Sequence, residues 1–177
     1  IKKKYKITIQ TLYPENYSFY DQGISYVYDD LTIKIFKENH FDIITCISTL
    51  EHVGFDNSIY NYSKKTSIRK KNINYLKVIE NFRHCLKKNG ILLLTIPYGK
   101  HQKFDSLQQF DEKMLKKIIS KFKPRVKKII YAKYSSGRWG VCSKEECNKL
   151  TFVNLDEHKS KDNLASARSI ALIKLIK

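Results

Sequence analysis

The sequence predicts an α/β fold built on a mostly parallel sheet. Three observations carry that prediction. Residues 41–47, FDIITCI, are a short apolar run rich in β-branched residues and bounded by polar ones, the pattern of a buried parallel strand. Residues 91–96, ILLLTI, are a second such run, stopped by Pro97. Between them, over residues 72–88, the apolar spacing becomes helical: Leu76, Ile79, Phe82, His84 or Cys85, and Leu86 recur at spacings of three and four, and Asn89-Gly90 follows as a helix stop. Strand, helix and strand in that order make the βαβ unit of a parallel sheet.

The remaining elements follow in chain order. Residues 5–12 read as a strand, because Ile7 and Ile9 alternate with polar residues, and Pro14-Glu15-Asn16 is a turn. Residues 24–28, ISYVY, are a further strand that ends in Asp29-Asp30. After Gly54 a polar loop without periodicity runs to residue 71. Residues 104–122 are a helix candidate whose better part begins at Asp111, with Met114, Leu115, Ile118 and Ile119 on one face. Residues 126–134 and 169–176 read as two more strands. The long insertion between them, 135–164, is rich in Gly, Cys and charge. Within it residues 143–149 form a short helix, with Ser143 as N-cap and Glu146 at the capping-box position.

A chain of 177 residues can bury a sizeable core, and residues 1–177 are read as a single domain. No apolar run approaches the roughly 20 residues of a membrane span. Ile1-Lys2-Lys3-Lys4 carries no signal-peptide core, and a start at Ile rather than Met places the native start upstream. Cys46, Cys85, Cys142 and Cys147 form no C-x-x-C pair and no disulfide framework, which points to a reducing, cytoplasmic setting without zinc. The net charge of +17 would suit a nucleic-acid partner. Most of it is scattered Lys, however, and Arg, the usual reader of bases and phosphates, is scarce, so nucleic acid is not the expected partner. One basic cluster, Lys64, Lys65, Arg69, Lys70 and Lys71, reads either as a holder of an anionic substrate or as solvated surface.

The run 41–47 passes directly into Ser48, Thr49, Glu51 and His52. Polar groups just past the carboxyl end of a strand sit where open α/β sheets bind ligands. Glu51 and His52 are the close carboxylate–imidazole pair at this place. His52 is the candidate base, and Glu51 its orienter or a substrate contact. The competing reading has the pair anchoring the loop.

The words themselves carry a resemblance. FDIITCISTLEHVG resembles the fourth-strand motif of class I S-adenosylmethionine (SAM)-dependent methyltransferases, where F-D opens the strand and L-E-H or L-H-H closes it. NFRHCLKKNGILLLTIPYGK is similar to the family's block of helix, L-K-x-G-G, apolar strand and Pro. Gly137-Arg138-Trp139 and Ser143-Lys144-Glu145-Glu146 resemble a G-x-W turn and S-x-E-E helix in uncharacterised members from polysaccharide gene clusters. The resemblance covers nearly the whole chain.

It implies a Rossmann-like, three-layer sandwich whose mostly parallel sheet ends in an antiparallel hairpin of the family's sixth and seventh strands. Residues 5–12, 24–28, 41–47, 91–96, 126–134 and 169–176 would be the second to seventh strands. The family's Gly-rich turn follows its first strand, and no G-x-G occurs among the six glycines here. The resemblance therefore implies an N-terminally truncated domain, one that binds SAM poorly by itself.

The implied activity is methyl transfer from SAM to a small molecule or a saccharide or glycoconjugate. The alternatives are a degenerate, non-catalytic relative and a basic nucleic-acid-binding module. Gln10 would stand where an acid commonly takes the ribose hydroxyls, and as a neutral amide it bonds more weakly. Asp30, with Leu31 behind it, would contact the adenine; its other reading is a turn cap. Cys46, Ile47 and Ser48 would line the methionine side. Some relatives bind a divalent metal through E-x-x-E-H; Ser48 replaces the first acid here, and no metal is expected. Tyr98-Gly99-Lys100 and Trp139 would lie near the substrate mouth, with Trp139 either stacking on an acceptor or packing a lid.

Overall fold

A computed structural model describes residues 5–14, 18–55, 74–153 and 166–177. Strands β1 (Ile7–Thr11) and β2 (Ile24–Tyr28) pair in parallel, in register from Ile7 with Ile24 to Thr11 with Tyr28. β3 (Phe41–Ile47) opens a five-stranded sheet. Helix α1 (Tyr75–Cys85) leads into β4 (Leu86–Pro97), and two short strands, β5 (Gln102–Lys103) and β6 (Gln108–Gln109), form a hairpin. Helix α2 (Glu112–Phe122), β7 (Val126–Ser135), β8 (Arg138–Cys142), helix α3 (Lys144–Asn148) and β9 (Ser169–Ile176) complete the described elements.

The sheet order is β3-β4-β9-β7-β8. β3 and β4 are parallel, whereas β9 runs antiparallel to both of its neighbours, β4 and β7. The expected antiparallel pairing of 126–134 with 169–176 is thus present, with the last strand inserted beside β4.

Side-chain oxygens start both long helices. Asn74 Oδ1 accepts from Lys77 N at 3.1 Å, and Asp111 Oδ1 accepts from Met114 N at 2.7 Å. α1 buries Val78, Ile79, Phe82 and Cys85, and α2 buries Leu115, Ile118 and Phe122. The two helices pack on each other and on one face of the sheet, where Cys46, Leu92, Leu94, Ile96, Ala171, Ile173 and Leu175 join the same core. The other face is apolar too. Ile43, Ile47, Leu93, Ile130 and Leu172 fall on it by the period of two along each strand, and all are exposed; Ile47 is 57% exposed.

Three sequence expectations need correction. The first helix ends at Cys85, not at residue 88, and the strand after it opens at Leu86. Phe41 pairs with Leu86 but Ile43 already pairs with Ile91, so residues 87–90 bulge out of the ladder. Asn89-Gly90 is a turn signal, but it serves this bulge rather than a helix cap. Asn89 takes the left-handed conformation at φ 64, which Asn tolerates better than most residues. Gly90 supplies the space, since a Cβ there would come within 2.8 Å of the Lys87 carbonyl oxygen.

The expected helix over 104–122 is helical only from Glu112. The Gln109 Nε2 group donates to the carbonyls of Lys100 at 2.8 Å and Leu150 at 3.0 Å, bonds that hold residues 102–110 as a hairpin. Asp111 then caps the helix at its better half. The insertion holds a strand that the sequence reading lacked: β8 folds back on β7 through Ser136 and Gly137, both at positive φ, as a two-residue hairpin turn requires. The short helix and its capping box are as expected: Ser143 and Glu146 exchange side-chain-to-backbone bonds of 3.2 and 2.9 Å. The basic cluster of residues 64–71 and part of the insertion lie outside the described residues.

The two faces should respond differently to truncation. Leu94→Ala, in the core, should cost about 2–5 kcal/mol of unfolding free energy. Ile47→Thr, on the open face, should stay within about 0.5 kcal/mol. Urea unfolding of both variants checks this, and equal losses would mean that the open face is packed in solution.

Candidate functional site

The chain turns sharply where β3 ends. Ser48 sits at φ 48, and its amide donates to Thr95 Oγ1 on β4 at 3.1 Å. The hydroxyl of Thr49 donates to the Ile47 carbonyl at 2.9 Å. Residues Leu50–His52 then form one 3₁₀ turn, pinned by Leu50, which is wholly buried. The turn therefore carries Glu51 inward, where its side chain is only 4% exposed. Burial raises the Glu51 carboxyl above the usual carboxylate range, against the opposing pull of its own backbone amide, His52 and the Ser48 side chain. Its Oε2 atom has no hydrogen-bond partner among the described residues. β6 packs against this turn and brings a second such atom, Gln108 Nε2.

His52 is half-buried, and its Nδ1 lies 2.8 Å from the carbonyl oxygen of Ser106. A carbonyl only accepts, so Nδ1 carries the proton, and in the neutral ring Nε2 holds the lone pair. Fixing the tautomer in this way is what a general base needs from its surroundings. Cys46 is a core residue, its thiol pushed up to about 12 by burial and then by the nearby Glu51 charge. Such a thiol, enclosed in the core, stays protonated near neutral pH. Ile47 is exposed beside it.

A second group forms at the carboxyl ends of β1 and β2. Gln10 Nε2 donates to the Asp29 carbonyl at 3.2 Å. Asp30 Oδ1 accepts from both the amide and the hydroxyl of Thr32, each at 2.8 Å, so this acid does cap its turn. Leu31 packs on the core, and its carbonyl accepts from Asn81 Nδ2 of α1 at 2.8 Å. Gln10, Asp30 and Leu31 thus stand together, as Cys46, Ile47, Ser48, Glu51 and His52 do at β3. α1 touches both groups, through Asn81 at the first and by packing on the Leu50–His52 turn at the second.

Beyond the end of β4 opens a cleft of about 560 Å³, lined among others by Gly99, Lys100, Glu112, Lys113 and Asn148. The family resemblance put Tyr98-Gly99-Lys100 near a substrate mouth, and Gly99 and Lys100 line this cleft. Nothing in the sequence pointed to Asn148, which accepts from the Tyr98 hydroxyl at 2.6 Å. Glu112 bonds Lys144 at 2.7 Å and Lys116 at 2.9 Å, which pulls its carboxyl down to about 2. Trp139 faces Tyr134 at 5.5 Å between ring centres, near the same end of the sheet. It is three strands away from β4, about 14 Å by strand spacing. Among the described residues no cluster of His, Cys, Asp and Glu could hold a metal ion, and no helix is long and apolar enough to cross a membrane.

The raised Glu51 carboxyl has a consequence for stability. The native state keeps the proton over a pH range in which the unfolded chain has lost it. The unfolded state then binds fewer protons, so stability falls as pH rises from the ordinary carboxylate value through the raised native one. Glu51→Gln cannot ionise and should abolish that decline. Urea titrations between about pH 4 and about pH 7 check it; an undiminished decline in the variant would assign the effect to another group.

No family profile matches the sequence, and no curated protein does. Solved structures do match. A 1,6-didemethyltoxoflavin-N1-methyltransferase from Burkholderia thailandensis superposes with a TM-score of 0.55 at 9% identity, over 97% of this chain and 61% of that one. The N-methyltransferase NodS from Bradyrhizobium japonicum gives 0.50 at 10% identity, over 97% of this chain and 66% of that one. The chain thus spans about two thirds of the length of each or less. With the sheet order and the parallel β1–β2 pair, these likenesses show that the chain has the Rossmann-like fold of class I methyltransferases.

Proposed function

We propose that this protein is an enzyme that transfers the methyl group of SAM to a hydroxyl or amine of a small molecule, with a saccharide or glycoconjugate as the preferred acceptor class. The observation that carries this reading is that one turn at the end of β3 holds both a tautomer-fixed His52 and a buried Glu51 whose Oε2 lacks a partner among the described residues. The fold supports it, and both matched methyltransferases were solved with S-adenosylhomocysteine. In this reading residues 1–177 act as a single domain in the cytoplasm, and nucleic acid is not the substrate.

The polar groups present suit the cofactor. Asp30, its carboxylate oriented by Thr32, would hold the adenine amino group, with Leu31 against the ring. Gln10 would bond the ribose. Cys46, Ile47 and Ser48 would border the methionine part. When bound, SAM supplies a methyl group already activated on a sulfonium, so alignment does most of the work. The chain's own task is the acceptor's proton. His52 Nε2 takes it from the hydroxyl or amine, while Nδ1–H stays on the Ser106 carbonyl and holds the ring still. Glu51, next in the chain, stabilises the imidazolium so formed.

The neutral Gln10 favours a second reading, a non-catalytic relative that keeps the fold. Calorimetry with SAM on the intact protein separates the two: saturable binding supports the enzyme, and its absence from a folded protein supports the relative. Oligonucleotide binding that weakens steeply with salt would instead support a nucleic-acid partner.

Two variants test the assignments. Asp30→Ala should weaken SAM affinity by roughly tenfold, the loss of about one charge-assisted hydrogen bond. Unchanged affinity in a folded variant would sink that role. His52→Ala should lower turnover by on the order of a hundredfold while SAM affinity holds, and Glu51→Gln should cost less. If the pair only anchors the loop, both variants lose melting temperature and SAM affinity together, without a selective fall in turnover.

A further inference from the structure

Cys142 and Cys147 take no part in the site, yet their Sγ atoms lie 2.7 Å apart as free thiols. That is closer than two unbonded sulfurs normally rest, and a small closure brings them to the roughly 2.05 Å of a disulfide bond. Their backbone is set independently of the sulfurs. Cys142 ends β8, whose ladder to β7 includes the Tyr131–Cys142 pair. Cys147 lies in α3, whose first turn is fixed by the Ser143–Glu146 capping box and by ion pairs from Lys133 to Glu146 and from Lys144 to Glu112. Cys142 is half-buried and so open to a reagent; Cys147 is wholly buried, beside the Ala132 carbonyl.

We propose that Cys142 and Cys147 are a reversible thiol–disulfide site, closed by exchange with a small-molecule disulfide of the glutathione type, and that the bond fixes α3 against β8. Cys142 Sγ, having given its proton to water, attacks one sulfur of the small disulfide. That S–S bond breaks and one thiolate leaves. Cys147 Sγ, whose thiol burial pushes up to about 12, attacks Cys142 Sγ from 2.7 Å away and gives up its proton to the second thiolate as that thiolate is expelled. Two protein thiols are oxidised and one small disulfide is reduced to two thiols. α3 and the residues after it form one wall of the cleft at the end of β4: Asn148 bonds the Tyr98 hydroxyl, and the Leu150 carbonyl accepts from Lys100 N at 2.9 Å. The bond therefore stiffens that wall.

The intact protein is incubated with oxidised glutathione, the remaining thiols are alkylated under denaturing conditions, and peptides are mapped by mass spectrometry. The expected product is a Cys142–Cys147 cross-link lighter by two hydrogens and reversed by dithiothreitol, with the buried Cys46 and Cys85 recovered as thiols. Hydrogen exchange over residues 144–150 should slow by about tenfold or more in the oxidised form. Cys147→Ser should stop at one glutathione on Cys142, and that adduct calibrates the dose. Wild-type protein that keeps glutathione on Cys142, or keeps both thiols at that dose, overturns the proposal, as does unchanged exchange in the cross-linked protein. Peptide mapping of the wild type decides the bond by itself should a variant not fold.

Discussion

The hydrogen-bonded seam of β3, β4 and β9 is the constraint on which everything else rests. Leu92, Leu94 and Ile96 of β4 are almost wholly buried, between a parallel neighbour and an antiparallel one. This fixes where β3 must stop, because Thr95 of β4 receives the Ser48 amide. It also fixes the chain just beyond β4: the Tyr98 amide donates to the Ser169 carbonyl at 2.9 Å, and Gly99 N donates to the Phe110 carbonyl at the same distance. The turn with Glu51 and His52 and the cleft beyond β4 therefore hang from one rigid strand. Residues on such elements hold their geometry better than residues on free loops.

The seam also shows which surface the described residues leave open. α1 and α2 cover one face of the sheet, and the other presents Ile43, Ile47, Leu93, Ile130 and Leu172 to solvent. The strands were written for burial on both faces: a parallel strand of β-branched residues without alternation is the sequence of a two-sided core. Apolar exposure on one sheet face is what the composition of β3 would not predict from α1 and α2 alone. The 48–52 turn draws its local order from elsewhere, since Leu50 in the core and the Ser106 carbonyl hold it.

Much of the fold was legible for local reasons. The strands at 24–28, 41–47 and 169–176 carry their own β-branched signal, and the structure places them at those bounds. Asp111 and Ser143 announced their helices because a cap is a short-range interaction. The errors came where distant groups decide. Asn89-Gly90 reads as a helix end, but the Lys177 backbone brackets that turn through Asn89 N and the Gly90 carbonyl, and so makes it a bulge within a strand. Residues 102–110 are a hairpin because Gln109 reaches Leu150, 41 residues away. The site divides in the same way. Its residue types could be read at 48–52, but the contact that fixes His52 comes from Ser106, 54 positions on, and the burial of Glu51 follows from where Leu50 seats itself.

That burial sets the state of the Glu51 carboxyl. A carboxyl held above its usual range keeps its proton where exposed acids have lost theirs. The opposing pull comes from its own backbone amide, from His52 and from the Ser48 side chain, and burial outweighs all three. The 48–52 turn bears that cost because the apolar seating of Leu50 carries the neighbouring Glu51 inward with it.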